Sequence, residues 1–147
     1  MLKEQLVKLS KYNVWANDII ANYILTAGEE RADLIQVSSF PTIRKTMYHI
    51  WDAEVVWLKR LNNEILESWP PSAQFKGNLE EALIEMLLNS KKMEAFIRNL
   101  SESNLMDDVV YTSTINKPFK TRVCDVLDAR EAFLARENEN FFQGQFR

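Results

Sequence analysis

A chain of 147 residues, 46% apolar and 27% charged with only three Gly and four Pro, is long enough to bury a full core as a single domain over 1–147. Its one cysteine excludes an internal disulfide framework. Eighteen Lys and Arg against twenty-one Asp and Glu give a net charge of −3 with both signs dispersed, which speaks against a nucleic-acid binder.

The opening stretch MLKEQLVKLSKYNVWANDII breaks its apolar residues with charges every few positions, so it has no signal-peptide core. No run approaches the roughly 18 apolar residues of a membrane span. With one thiol and no export signal, the cytoplasm is the expected compartment.

Leu2, Leu6, Leu9, Asn13, Ala16, Ile20 and Tyr23 recur at alternating steps of four and three, predicting a helix over 2–26 that stops near Gly28. ERADLIQVSSFP then reads as a connector. Pro41 suits a first helical turn, and Ile43, Met47, Ile50, Glu54, Trp57 and Leu61 continue at helical spacing, predicting a second helix over 41–66. Trp69, Pro70 and Pro71 make 67–77 a loop. Asn78 followed by Glu81 resembles a capping box ahead of a third helix over 79–100. DVVYTSTINKPFKT, rich in β-formers around Asn116 and Pro118, predicts a short irregular hairpin over 108–121. From Arg122 a helical rhythm returns through Val123, Val126, Leu127, Phe133, Leu134, Phe141 and Phe142. Four helices with one apolar stripe each predict an all-α, antiparallel four-helix bundle with a hairpin between the last two helices.

Two polar residues fall at the centre of apolar stripes, Asn13 on the first helix and Glu54 on the second. A buried carboxylate needs a donor from another helix or an opening to water. The functional reading is a polar pocket; the structural one is a hydrogen-bonded core pair. His49, the only histidine, lies beside the second stripe with Thr42, Thr46, Ala53 and Val56, and one imidazole cannot build a zinc or nickel site. Cys124 with His49 as base is one conceivable nucleophilic pair, but a buried inert thiol is the expectation. Trp51 projects off its stripe and is a candidate dimer contact.

Tyr12-Asn13-Val14-Trp15-Ala16-Asn17, then Ser39-Phe40 and the run Ile43 to Trp57 containing His49, resemble the first two helices of the DinB/YfiT-like family of metalloenzymes. The resemblance is good over 2–65 and weaker beyond. It implies a four-helix bundle, commonly dimeric, with nickel or zinc held by one His on the second helix and two on the last; some members are thiol transferases. His49 matches the first ligand. At the likely positions of the other two stand Asn138 and Phe142, aligned through Gly144-Gln145; an alternative register places Asp128, Ala132 and Arg136 there. Neither register supplies a histidine, and Asn or Phe is a poor substitute toward zinc or nickel. The chain ends two residues after Gln145, where family members usually continue, which leaves open whether that terminus is native.

The expectation is therefore a DinB-like protein with an incomplete three-His site, His49 being a remnant ligand. Its useful part is then a small-molecule pocket around Tyr12, Asn13, Trp15 and Glu54, or a homodimer surface, with no cofactor. An alternative is a metal-dependent thiol transferase with substitute ligands around His49 from Asp52, Glu54, Asp128, Glu131, Asn138 or a partner subunit, which would hold zinc or nickel. A second alternative is a pure interaction module. Neither nucleic acid nor membrane is an expected partner, and no catalytic residue is assigned.

Overall fold

The computed structural model describes residues 2–37, 40–113, 115–130 and 134. Among them the chain is mostly helical, with five helices and one two-stranded sheet. None of these helices is long and apolar enough to cross a membrane.

Helix α1 (Leu2–Ala27) ends at Gly28, whose φ of +86° suits a residue without a side chain. Its inner face is rotated from the expected stripe: Leu2, Leu9 and Tyr23 are exposed, and Ser10, Asn17 and Ile24 are buried instead. Asn17 finds a partner inside on another helix, and Ser10 satisfies its hydroxyl within its own helix by bonding back to the Val7 carbonyl at 2.9 Å, so both polar groups are buried at little cost. The connector contains a short helix α2 (Glu29–Ala32), followed by a two-point pairing of Arg44 with Asp33, Nε to Oδ1 at 2.6 Å and Nη2 to Oδ2 at 3.0 Å.

Helix α3 (Ile43–Leu61) begins after Thr42, whose hydroxyl accepts from the Lys45 N–H at 3.1 Å. Pro41 thus precedes the cap rather than occupying the first turn. The helix also stops five residues before the expected 66, where Asn62 closes on the Leu58 carbonyl and Asn63 adopts a positive φ of 55°. Within the following loop a 3-10 turn at Pro71–Gln74 is tied to α3: Ser72 donates from its N–H and hydroxyl to Asp52, at 2.6 and 2.7 Å. Helix α4 (Leu79–Asn99) has the capping box that its sequence predicts, Asn78 and Glu81 satisfying each other's backbone N–H at 2.8 and 2.9 Å.

Strands β1 (Asp108–Thr112) and β2 (Pro118–Arg122) form a regular antiparallel ladder with Tyr111 opposite Phe119. Residues 123–130 form helix α5, and residue 134 is also helical. Glu131, Ala132, Phe133, Arg136, Asn138, Glu139, Phe141, Phe142, Gly144 and Gln145 lie outside the described residues.

The apolar core has two clusters. One gathers Ile20, Ile24, Met47, Trp51, Leu83 and Met86; the other gathers Leu6, Leu61, Met93, Ile97, Leu105 and Leu127. The C-terminal half of α1 meets the N-terminal halves of both α3 and α4 in the first cluster. Helices α3 and α4 therefore run in the same direction, with α1 opposed to both, which corrects the fully antiparallel arrangement expected from the sequence. The long connection over 62–78 permits this by returning the chain to the end where α3 began. Trp51 is a second correction. It is 9% exposed and packs edge-on against Phe75 (centroids 5.3 Å apart, 84° between planes) and Tyr48 (5.9 Å, 68°), so it belongs to the core and not to a dimer contact.

Candidate ligand pocket

Between the two apolar clusters lies a polar layer to which four helices each contribute a residue. Asn17 from α1 donates through Nδ2 to the Ser90 hydroxyl of α4 at 2.8 Å, and that hydroxyl donates to Oε2 of Glu54 at 2.6 Å. Arg130 from α5 donates through Nη2 to Glu54 Oε1 at 2.7 Å. Glu54 is 1% exposed and Arg130 6%. Burial pushes the Glu54 carboxyl above its ordinary range, against the pull of the Arg130 charge and the Ser90 hydroxyl. Of the two solutions the sequence leaves for Glu54, a donor from another helix or an opening to water, the first is present twice.

Glu54 and Arg130 form part of the wall of a cavity of about 690 Å³, to which His49 and Asp125 also contribute. That volume is in the range of small-molecule sites, roughly 300–1,000 Å³. Much of the remaining wall is aromatic. Tyr111 and Phe119, paired across the hairpin, stack with centroids 5.6 Å apart and 14° between planes, and Trp57 of α3 meets Tyr111 edge-on at 5.2 Å. The Arg60 guanidinium lies over both Trp57 and Tyr111, at 4.6 and 4.5 Å from the ring centroids, fastening the hairpin to α3.

The residues singled out by sequence do not all meet here. Glu54 and His49 share the cavity, and the His49 ring stacks on Phe40 at 4.5 Å. Asn13 is buried in α1. Tyr12 and Trp15 are 41% and 56% exposed, with rings 5.6 Å apart, and neither lines the cavity. Cys124 is buried in the apolar cluster of Leu127 and Ile97 and does not line the cavity, so no Cys–His pair is assembled there. Asp52 has both oxygens engaged by Ser72, and Asp128 is exposed. Asn17, Ser90, Arg130 and the aromatic wall were not singled out from sequence as site residues.

Residues 1–122 match the model of the DinB family. The chain belongs to the DinB family. No curated protein and no solved structure matches it. The matched span of this DinB chain ends at the last residue of β2, so the helix that brings Arg130 to Glu54 lies beyond it.

The DinB resemblance raises zinc or nickel, and the described residues do not fit such an ion. No group of three His, Cys, Asp or Glu side chains converges among them. Both oxygens of Glu54 are engaged by donors, and a buried guanidinium stands in the same wall, where it repels a divalent cation.

Proposed function

We propose that this DinB family protein is a four-helix bundle whose interior cavity binds a small organic molecule without a stoichiometric metal ion. The supporting observation is the Glu54–Arg130 pair at 2.7 Å, which places a fixed positive charge, already matched to its carboxylate, in the wall of the cavity that His49 also lines. The aromatic wall supplies the apolar contact that small-molecule sites use for affinity, and the buried polar groups supply orientation. Elemental analysis of untagged protein purified without chelator tests the reading. It predicts much less than one zinc or nickel per chain, unchanged in His49→Ala; a stoichiometric ion that His49→Ala removes would overturn it in favour of a metal-dependent site at His49.

The homodimer belongs to the same proposal, with its interface on α1. Tyr12, Trp15, Ile19 and Tyr23 form an exposed row at steps of three and four on that helix. The row centres near positions 17 and 18, so an antiparallel two-fold pairing brings Tyr12 toward Tyr23 and Trp15 toward Ile19, a self-complementary contact of the kind an isologous interface requires. Light scattering is expected to give a dimer for the native chain and a monomer for Trp15→Glu. A monomeric native chain would remove the dimer from the account.

A further inference from the structure

Building on the pocket proposed above, we infer that its ligand is an uncharged small molecule with an aryl or branched hydrocarbon body, lodged where Ala53 of α3 and Ala129 of α5 leave room between the helices and lying against Trp57 and Phe119.

The space itself comes from side-chain size. His49, Ala53 and Trp57 follow one another at steps of four on α3, Asp125 and Ala129 do the same on α5, and all five stand in the cavity wall. Ala53 and Ala129 present a methyl group where their neighbours in each row carry longer side chains, so the two helices leave the gap between them unfilled. Val126 and Leu134 add hydrocarbon to the same wall, and the half-exposed Phe119 adds an aryl face.

The charge of the ligand follows from how the wall's own charges are spent. Glu54 accepts from Arg130 at one oxygen and from Ser90 at the other, as an ionised carboxylate does, so the buried anion and the buried guanidinium match each other. Arg130 is engaged beyond that bond as well. An ionic group carried to this depth would surrender its water to a pair with no unmatched charge to offer in return. Nearer solvent, Lys120 is bridged to Asp108 at 3.0 Å and Asp125 is exposed. An ion pairing with either at such exposure gains about fivefold in affinity at most. Trp57 and Tyr111 are the rings an ammonium would use, and Arg60 already holds a cation–π position on each. A neutral body meets none of these costs and keeps all of the apolar contact.

The experiment compares three ligands of one shape: 3-phenylpropan-1-ol, 3-phenylpropanoate and 3-phenylpropylamine. Each is titrated calorimetrically at neutral pH into the native chain, Ala53→Phe, Ala129→Trp and Glu54→Gln, with helicity checked by circular dichroism. The alcohol is expected to bind the native chain at least tenfold more tightly than either ion. Ala53→Phe fills the gap and is expected to weaken the alcohol at least tenfold; if it does not fold, Ala129→Trp, at an exposed position, carries the same expectation. Glu54→Gln removes the counter-charge of Arg130 and is expected to raise the affinity for the acid relative to the alcohol at least fivefold. An acid or amine as tight as the alcohol, and lost in the filled variants, overturns the uncharged assignment and leaves the pocket standing. An unchanged acid-to-alcohol ratio in folded Glu54→Gln overturns it too, and alcohol binding that neither filled variant weakens overturns the placement between the helices. Saturable binding only after zinc or nickel is added overturns the metal-free pocket instead. No binding of any of the three at millimolar concentration overturns both.

Discussion

Replacing Glu54 by Ala removes an acceptor from a guanidinium whose side chain is only 4% exposed, and it also removes the acceptor of the Ser90 hydroxyl. Breaking a buried pair from one side costs about 3–5 kcal/mol, because the remaining charge stays buried without its counter-charge. Against the roughly 5–15 kcal/mol that holds a typical domain together, this is a large fraction. At about 2–4 °C per kcal/mol for a chain of this size, the thermal midpoint should fall by roughly 6–20 °C. Arg130→Ala should cost a similar amount from the other side. Replacing both by Met removes both charges and fills the space, so the double variant should be more stable than either single one. Urea unfolding followed by far-ultraviolet circular dichroism supplies the four stabilities. The reasoning fails if each single substitution costs less than about 1 kcal/mol, or if the double variant loses the sum of the two, since the polar layer would then hold no coupled pair.

Three further outcomes follow from the same contacts. Asn78→Ala breaks the capping box of α4 and should cost about 1 kcal/mol in urea unfolding, whereas Asn78→Asp should be nearly neutral. Burial raises the Asp52 carboxyl above its ordinary value of 3.8 although Ser72 donates to it twice. The folded chain then holds that proton to higher pH than the unfolded chain, so this group's contribution to stability declines as pH rises from about 4 through the folded value. The native chain should accordingly lose ground to Asp52→Asn across that window, and a native chain that gains on the variant would contradict the assignment. Arg60→Ala releases the hairpin from Trp57 and should raise hydrogen exchange in β1 and β2, with a stability loss of about 1–2 kcal/mol.

Periodicity made the long helices legible, and Asn78 with Glu81 placed the start of α4 to the residue. Direction was not legible. A stripe on each helix is equally compatible with alternating or parallel neighbours, and only the clustering of Met47 with Leu83 and of Leu61 with Ile97 shows that α3 and α4 run together. The inner face of α1 was misplaced for a related reason. Leu9 and Tyr23 are more apolar than Ser10 and Asn17, but Asn17 has an inter-helix partner in Ser90 and Ser10 satisfies its hydroxyl within its own helix, neither of which a hydropathy pattern records.

The candidate site was half legible. Glu54 stood out because a carboxylate on a stripe is rare, and of the two outcomes open to it, a donor from another helix or an opening to water, the donor is found. Its partners carried the same signal. Ser90 continues the row Leu83, Met86, Met93, Ile97, and Arg130 falls between Leu127 and Leu134 at steps of three and four. Polar residues at stripe positions on several helices are the sequence trace of a buried polar layer. The aromatic wall left no such trace, because Tyr111 and Phe119 meet Trp57 only after the hairpin folds onto α3.

The claim at the centre of this account is that a guanidinium, and not a metal ion, supplies the positive charge in the wall of the cavity that His49 also lines. Because the chain contains one histidine, the long-range proton–nitrogen spectrum of untagged protein reports that imidazole alone. Adding one equivalent of zinc, then of nickel, should leave the native resonances in place, with no shift or paramagnetic loss until the ion is in large excess. Saturation of the His49 signals at one equivalent of either metal would contradict the account.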